Sequence, residues 1–329
     1  MRQEGEDSLL RWLRRQIVRQ PGELGQNELL GDDAAKIVAN AELAITLDTQ
    51  IEGVHFFPGR APELLAERAL AVNLSDLAAM GAAPRYAFLS LTAPPGYDRR
   101  AFLRSFLRSC SRYGVRLAGG DLSSAEKVQV VVTLIGERQG RFLERRGAAP
   151  GDVIYLGGEV GLSGLGLALL EAGAQLEGRR LRLPDFLENR FQAAARRALW
   201  QHLLPQPQLD LGKKLAQNYQ QGGALDISDG LAKDLHRLCH ESRVGARVEL
   251  AALPMPEIYR QLAARLDKSW QELALAAGED YVLLFTLKAQ EKPPEGAIAI
   301  GRVTRGRQIL LSENGETRPL AARGFDHLR

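Results

Sequence analysis

The chain has 329 residues, 45% of them hydrophobic and 25% charged, which excludes a wholly disordered chain, a collagen and a disulfide-stabilised miniprotein. Its 43 basic and 40 acidic residues give a net charge of +3, and this balance does not favour nucleic acid as a partner. At roughly 100 to 200 residues per domain, the length predicts two domains.

The first half of the chain predicts the order β-α-β-α-β-β after an amphipathic first helix over residues 6–20. The basic residues of that helix share one face, which is typical of a solvated surface but leaves an RNA or membrane contact open: Arg11, Arg14, Arg15 and Arg19. The following elements are predicted as strand 43–47, a helix from Pro62 to about Met80, strand 86–93, helix 99–113, and strands 115–119 and 128–137.

The polar stretch 144–152 contains glycine and proline and is the predicted domain boundary. Beyond it we expect strands at 152–157, 246–250, 281–286 and 297–303, with helices from about Ser163, over 189–219, at 231–242 and at 270–276. The predicted fold class is α/β (α+β) with two domains. Residues 1–146 are predicted to form a mixed sheet with helices on one face, and residues 147–329 are predicted to form an α/β domain.

The sequence shows neither a recognisable targeting signal nor a disulfide framework, and this combination favours a cytoplasmic location. No stretch reaches the roughly 18 uninterrupted apolar residues of a membrane span, so we expect no membrane partner. Residues 1–20 carry charges throughout and lack the apolar core of a secretion signal. Cys110 and Cys239 are the only cysteines and lie far apart, which excludes a disulfide framework.

Acidic residues recur beside glycine or directly after apolar runs. They occur at Asp32–Asp33, Asp48, Asp121, Asp226–Asp229 and Glu279–Asp280. In open α/β sheets, ligands bind at the carboxyl ends of strands, and aspartate is a hard oxygen donor that suits Mg²⁺ beside phosphate. Each motif alone is also ordinary turn chemistry, so only their convergence in space would indicate a site.

One helix carries a carboxylate in an apolar setting. The segment ALAVNLSDLAAMGA is apolar almost all round and is predicted to be buried, yet it holds Asn73 and Asp76 on one face. A buried carboxylate without a partner is costly, so Asp76 requires a cation, a donor network or a metal.

Other motifs are less informative. Neither a Walker phosphate loop nor the protein-kinase signature set is present. The glycine run 157–166 predicts a tight turn or a general phosphate loop before a helix. His236 and His240 are spaced as a possible metal pair but lack the glutamate of HExxH, so an ordinary surface or core pair is favoured. His55 stands in a loop beside two phenylalanines, where it could touch a substrate.

Longer motifs resemble the thiamine-monophosphate kinase family, in the superfamily of aminoimidazole ribonucleotide synthetase and selenophosphate synthetase. They run in order over nearly the whole chain: GDDAA (31–35), LDTQIEGVHF (47–56), AVNLSDLAAMGA (71–82), AGGD (118–121), LDISDGLAKDL (225–235), AGEDYVLLF (277–285) and GFDH (324–327). The resemblance implies the two-domain fold of that superfamily and ATP-dependent phosphorylation of thiamine phosphate to thiamine diphosphate. It also implies several Mg²⁺ ions and a homodimer joined through the N-terminal sheets, with ATP and Mg²⁺ bound by residues 1–146.

The resemblance also implies roles for individual residues. The implied metal ligands are Asp33, Thr46, Leu47 through its carbonyl, Asp48, Asp76, Asp121, Asp226 and Asp229. The implied ATP contacts are Asp32, Gly120, Asp121, Arg145 and Ser228, and the implied thiamine phosphate contacts are His55, Glu279 and Phe325.

Three positions depart from the family pattern. Leu47 stands where the family often has a small polar residue, Leu122 follows Asp121 where threonine is usual, and Phe325 stands where tyrosine is common. Ser123 could supply the hydroxyl that Leu122 lacks, and Phe325 keeps an aromatic face without a phenol.

The expected chemistry needs no general base, because a phosphate monoester with a second pKa of about 6 is already largely ionised at neutral pH. The task is to hold two polyanions in line, which metal-binding carboxylates accomplish. The alternatives are another ATP-dependent enzyme of the superfamily, a non-catalytic Mg-nucleotide sensor, and an RNA-binding module that uses the first helix.

Overall fold

A computed structural model describes residues 41–177 and 180–325, together with Leu9, Trp12, Leu13, Arg15, Gln16 and Ala39. The first five of these isolated residues are helical, and the remainder of the predicted first helix lies outside the described residues. The chain divides into two compact units, which are considered separately below. The first unit is residues 1–77 with 82–138, and the second unit is residues 78–81 with 139–329.

The first unit is built on one four-stranded sheet. Its elements are β1 (Leu43–Ile51), α1 (Pro62–Ala79), β2 (Ala82–Ala93), α2 (Arg99–Arg112), β3 (Arg116–Ser124) and β4 (Gln129–Arg138), with the last two residues of α1 assigned to the second unit. The strand order is β1-β4-β2-β3, and β3 runs parallel to β2 while the other pairs are antiparallel. The predicted mixed sheet is confirmed.

Two strands extend further than their patterns predict. β1 pairs with β4 as far as Ile51, and β3 pairs with β2 as far as Ser124. Asp48 and Asp121 therefore lie within strands rather than at their ends. The sequence pattern missed this because hydrogen bonds to a neighbouring strand continue a strand through polar residues that interrupt an apolar run.

Helix α1 is buried, as predicted. Leu64, Leu65, Leu70 and Leu74 are at most 1% exposed, and the guanidinium of Arg68 is buried as well, donating from Nε to Gln50 Oε1 of β1 at 3.1 Å. One face of the sheet therefore lies under α1, with the apolar side chains of β2 and β4 between them. On the opposite face of β1, Ile45 and Leu47 are 66% and 60% exposed.

The second unit contains a seven-stranded sheet of order β13-β12-β9-β11-β5-β10-β8 and a separate hairpin β6-β7. Its strands are β5 (Val153–Leu156), β6 (Gln175–Glu177), β7 (Arg180–Arg182), β8 (Ala224–Asp226), β9 (Gly245–Glu249), β10 (Leu283–Leu287), β11 (Ile298–Thr304), β12 (Ile309–Glu313) and β13 (Glu316–Pro319). Its helices are α3 (Leu162–Glu171), α4 (Gln192–Leu203), α5 (Leu209–Asn218), α6 (Leu231–Ser242), α7 (Glu257–Arg265) and α8 (Trp270–Ala276), with short 3₁₀ turns at Asn189–Phe191 and Leu250–Ala252.

The large apolar core of the second unit lies between its helices and its sheet. Leu165 of α3, Leu199 of α4 and Leu235 of α6 are fully buried in it, together with Leu284 of β10 and Leu156 of β5. Helix α6 carries its apolar residues on one side, which fixes the face that it turns toward this core. Within residues 41–177 and 180–325, no helix is long and apolar enough to cross a membrane.

Candidate functional site

Three predicted ligands gather on the helix-covered face of β1. The Thr46 hydroxyl donates a hydrogen bond to Asp76 Oδ2 on α1. Asp48 lies two residues beyond Thr46 and therefore on the same face, since successive side chains alternate along a strand. Thr46 and Asp48 are aligned with the buried residues Leu134 and Val132 of β4. The donor network required for Asp76 is thus supplied in part by Thr46.

Asp121 lies on the far edge of the same sheet. Asp48 is aligned with Val132, and Val132 with Leu89, which is aligned in turn with Gly120 on β3. Three strand spacings of about 4.8 Å separate the two edges by roughly 14 Å, so the first unit does not bring Asp121 beside Asp48. Ser123 donates to Asp121 Oδ2 at 2.7 Å and thus provides a hydroxyl at this carboxylate.

Gly120 and His55 have clear local roles. A Cβ on Gly120 would lie 1.9 Å from the carbonyl oxygen of Leu89, so only glycine allows β3 this close to β2. His55 follows β1 in a turn, and its Nδ1 accepts a hydrogen bond from the Ile51 amide at 3.1 Å. The hydrogen of a neutral imidazole is then on Nε2.

A buried carboxylate shapes the loop between β8 and α6. The backbone amides of Ser228, Asp229 and Gly230 all donate to Asp234 Oδ2, at 3.1, 3.0 and 3.1 Å. Asp234 is 1% exposed, and burial raises its pKa against the opposing charge of Arg237. This residue stands inside the LDISDGLAKDL motif but was not among the predicted site residues, because an aspartate in the first turn of a helix is normally a solvated one.

Asp229, a predicted metal ligand, is paired with two cations. Its Oδ2 lies 2.9 Å from Lys233 Nζ and 2.5 Å from Arg237 Nη2. Burial acts to raise the pKa of Asp229, but the hydrogen bonds and charges of Lys233 and Arg237 outweigh burial and hold the pKa below its usual value. Neither cation was predicted, because each stands one helical turn or two beyond the acidic motif.

The predicted substrate residues of the second unit meet this loop. The Glu279 amide donates to the Ser228 carbonyl at 2.7 Å, and the Phe325 amide donates to the Asp229 carbonyl at 2.9 Å. Phe325 is 44% exposed and the Glu279 side chain is 26% exposed. The second unit therefore brings Asp226, Ser228, Asp229, Glu279 and Phe325 into one region at the amino end of α6.

The backbone amides of the glycine run that leads into α3 are hydrogen-bonded to a carboxylate of the protein itself. Asp280 Oδ2 accepts from the Gly161 amide at 2.6 Å, and Oδ1 accepts from the Ser163 amide at 3.1 Å. These are the amides at the amino end of α3 that a phosphate would need. Burial raises the pKa of Asp280 to about 7, although these amides act against it. The run is therefore a tight turn anchored by a carboxylate rather than a phosphate loop.

Arg145 lies away from Ser228. Its carbonyl oxygen accepts from Ser242 Oγ at the carboxyl end of α6, whereas Ser228 precedes the amino end. The 12 residues of α6 span about 18 Å, so the two predicted ATP contacts lie at opposite ends of one helix.

The histidine pair on α6 is not arranged for a metal. His236 Nε2 lies 2.7 Å from the Leu320 carbonyl oxygen, while the His240 side chain is 79% exposed beside Glu241. The predicted ligands Asp32 and Asp33 lie outside the described residues. Among the residues that the structure does describe, no group of three or more His, Cys, Asp and Glu side chains is placed to hold a metal ion.

Family models match both halves of the chain. Residues 31–137 match the N-terminal domain of AIR synthase related proteins, and residues 149–310 match the C-terminal domain. The thiamine-monophosphate kinase of Escherichia coli strain K12 is 35% identical over 318 residues, which covers 91% of each chain. That of Buchnera aphidicola subsp. Schizaphis graminum is 34% identical over 313 residues, again 91% of each chain.

Solved structures agree with these matches. The complex described as AaThiL with AMPPCP and TMP is 30% identical with a TM-score of 0.76, covering 98% of this chain and 97% of that one. The thiamine-monophosphate kinase of Stenotrophomonas maltophilia K279a is 30% identical with a TM-score of 0.76, over 94% of this chain and 96% of that one. The hydrogenase maturation protein HypE with ATP, at 21% identity and a TM-score of 0.72 over 99% and 96%, shares the fold. This chain therefore belongs to the thiamine-monophosphate kinase family of AIR synthase related proteins.

Proposed function

We propose that this protein transfers the γ-phosphoryl group of ATP to thiamine phosphate, giving thiamine diphosphate and ADP. The observation that carries the proposal is the meeting of Ser228, Asp229, Glu279 and Phe325 at the amino end of α6, in a chain 35% identical to a thiamine-monophosphate kinase. We assign ATP and metal binding and dimerisation to residues 1–146, and the second α/β domain to residues 147–329.

The reaction places few demands on acid–base chemistry. The acceptor is a phosphate monoester that is already largely ionised at neutral pH, since its second pKa is about 6. The protein must therefore align acceptor and donor and offset their repulsion, and the described aspartates are acceptors suited to binding cations. No side chain has to remove a proton in the transfer.

The substrate contacts follow from the charge of thiamine phosphate. Its thiazolium ring is a cation, which a carboxylate and an aromatic face both attract. Glu279 and the exposed Phe325, whose backbone amides bind the Ser228 and Asp229 carbonyls, supply these two features. His55 of the first unit, with its hydrogen on Nε2, is the proposed third contact. Asp32, Gly120, Asp121, Arg145 and Ser228 are the proposed contacts of ATP.

Mg²⁺ is the proposed metal, and the donors present fit it. Hydroxyl, carbonyl and carboxylate oxygens are the ligands that Mg²⁺ prefers, and the proposed set is Asp33, Thr46, Leu47 through its carbonyl, Asp48, Asp76, Asp121, Asp226 and Asp229. When bound, Mg²⁺ neutralises and aligns the phosphate oxygens. Thr46 orients Asp76 through its hydrogen bond, and Asp234 orients Asp229 through the backbone of its loop.

A homodimer and a cytoplasmic location are part of the proposal. On the open face of β1, Ile45 and Leu47 are exposed, and Ile45 is aligned with the half-buried Ile135 of β4. A second copy of the sheet could cover this apolar row. Cys110 and Cys239 are buried thiols, in keeping with a reducing compartment. Neither nucleic acid nor a membrane is a proposed partner.

The deciding experiment incubates the purified protein with Mg-ATP and thiamine phosphate and separates the products by chromatography. We expect thiamine diphosphate and ADP in equal amounts. Asp76→Asn and Asp229→Asn should each lower the rate at least about 100-fold, because each removes a proposed carboxylate ligand of the Mg²⁺ that offsets the phosphate charges in the transition state. Asp267→Asn, at an exposed turn residue, is the matched control and should leave the rate unchanged.

Two outcomes would favour other functions. Binding of Mg-ATP without any product would favour a nucleotide sensor. ATP turnover that does not depend on thiamine phosphate would favour another enzyme of the superfamily. Near-normal rates in both aspartate variants would contradict the proposed metal-binding carboxylates.

A further inference from the structure

The turn that carries Glu279 has an unusual backbone. Glu279 and Tyr281 have φ values of 56° and 51°, in the left-handed region that residues with side chains rarely adopt. Their amides donate to the carbonyl oxygens of Ser228 and Ile227 at 2.7 and 2.8 Å. Two such residues in one turn persist only where the surrounding structure holds them, which is typical of functional sites.

Asp280 fixes this turn from the other side. Its buried carboxylate accepts from the amides of Gly161 and Ser163, and its carbonyl oxygen accepts from Gln201 Nε2 at 2.9 Å. The turn is thus tied to the amino end of α3 and to the last turns of α4. The Cα of Glu279 therefore has a fixed position relative to both helices.

His202 of α4 reaches the Glu279 side chain itself. Its Nδ1 lies 3.1 Å from Ser163 Oγ and 3.5 Å from Glu279 Oε2, and the histidine is 3% exposed. The helices approach closely here, since a Cβ on Gly166 of α3 would lie 2.8 Å from the His202 Cβ. A carboxylate only accepts hydrogen bonds, so a favourable contact between His202 Nδ1 and Glu279 requires a hydrogen on Nδ1, and we assign the hydrogen to that nitrogen.

We propose that His202 is a positioning residue for the thiamine phosphate site: its Nδ1–H, placed between Ser163 Oγ and Glu279 Oε2, directs the Glu279 carboxylate toward the substrate's thiazolium cation. This inference rests on the proposed function, because it takes Glu279 as a substrate contact. With the backbone of Glu279 held by Asp280 and Ser228, the side-chain torsions are the remaining freedom, and His202 restricts them. Loss of the imidazole therefore weakens binding of thiamine phosphate and leaves binding of ATP unchanged.

The test compares the wild type with His202→Ala, which removes the ring, and with His202→Asn, whose amide nitrogen can take the place of Nδ1. His240→Asn is the matched control, because that histidine is exposed on α6. Initial rates give KM for thiamine phosphate and for ATP separately. Calorimetry gives the dissociation constant of thiamine phosphate without ATP, and thermal melting reports the fold.

In His202→Ala we expect both KM and Kd for thiamine phosphate to rise about tenfold or more, because the charged Glu279 side chain loses the polar contact that orients it. KM for ATP should change less than about twofold, and His202→Asn should stay within about threefold of wild type. In a Glu279→Gln background, His202→Ala should add less than about threefold, because the interaction it removes is already weakened.

Equal rises in both KM values, or the same effect of His202→Ala in both backgrounds, would overturn the inference. If His202→Ala does not fold, His202→Asn and His202→Gln decide the matter, because the glutamine amide reaches the place of Nε2 and not of Nδ1; equal behaviour of the two would contradict the role of Nδ1. A wild type that makes no thiamine diphosphate contradicts the proposed function itself. An active wild type with unchanged thiamine phosphate binding in the His202 variants contradicts this inference alone.

Discussion

Arg237 donates from Nη2 to Asp229 Oδ2 at 2.5 Å, although the family resemblance assigns that carboxylate to a metal. The same guanidinium donates from Nη1 to Asp234 Oδ1 at 2.7 Å. One arginine thus links a proposed ligand to the buried carboxylate that shapes its loop. Three backbone amides and the Arg237 guanidinium surround the Asp234 carboxylate. The ionised form of this buried carboxylate therefore depends on the charge of Arg237.

Arg237→Ala should lower the free energy of unfolding by about 2 kcal/mol, because it leaves the buried Asp234 without its counter-charge. This loss is small for a buried ion pair, because the Arg237 side chain is 36% exposed and water can partly take the place of its guanidinium beside Asp234. Urea denaturation measures the change. Lys268→Ala removes an exposed pair with Glu171 and should cost less than about 1 kcal/mol; equal losses in the two variants would contradict the assigned role of Arg237.

Asp280 predicts a specific pH dependence of stability. Burial raises its pKa in the folded protein from 3.8 to about 7, so between these values the folded state holds a proton that the unfolded chain has lost. The free energy of unfolding therefore falls as pH rises through this window. Across this window, the free energy of unfolding of the wild type should fall by on the order of 4 kcal/mol relative to that of Asp280→Asn. This figure follows from about 1.4 kcal/mol for each pKa unit.

Urea denaturation of both proteins from pH 4 to pH 8 checks this dependence. Asp267→Asn, the same change at an exposed position, should follow the wild type throughout. If the Asp280→Asn and wild-type curves ran parallel, the pKa of Asp280 would not be raised in the folded protein.

Alanine substitutions at two glycines with left-handed backbone angles distinguish the cost of backbone strain from the cost of a steric clash. Gly161 (φ 83°) has its Cβ position 2.8 Å from the backbone nitrogen of Ala274, whereas Gly96 (φ 86°) faces open space. Gly161→Ala should cost about 3 kcal/mol of unfolding free energy, because a backbone neighbour cannot move aside, while Gly96→Ala should cost about 1 kcal/mol from its dihedral angle alone. Equal melting temperatures for the two variants would mean that the turn before α3 can shift to admit a methyl group.

The proposed homodimer can be tested on the exposed face of β1. Ile45→Lys places a charge on the apolar row and should give a monomer in sedimentation velocity experiments, because a dimer interface would bury that charge without a partner. Val54→Lys, at a similarly exposed residue in the turn after β1, is the control and should remain dimeric. A wild type that sediments as a monomer would contradict the proposed dimer.

Much of this fold follows from local patterns in the sequence. The apolar run of α1 predicts a buried helix, and Asp76 within it predicts the partner that Thr46 supplies. The family resemblance implies roles for Asp226, Glu279 and Phe325, and these three residues lie near the amino end of α6. Local patterns succeed for α1 because helical periodicity and burial are properties of residues that are close in the chain.

Other relationships could not be predicted from these patterns. The position of Asp121 across the sheet from Asp48 depends on strand order, which is set by the pairing of β4 between β1 and β2. A lone histidine on the apolar side of α4 is normally an ordinary core residue, so nothing in the sequence distinguished His202. Likewise, the glycine run before α3 matches a phosphate loop as well as it matches a turn anchored by Asp280.

The amino-acid sequence by itself determined the family, the two-domain α/β class and the acidic motifs, because each of these is a property of residue type and spacing along the chain. Only the tertiary structure decided which carboxylates meet, that Arg237 pairs with Asp229, that amides at the start of α3 donate to Asp280, and that His202 lies beside Glu279. These contacts join residues from 8 to 119 positions apart, and such pairs come together through the packing of whole helices and strands.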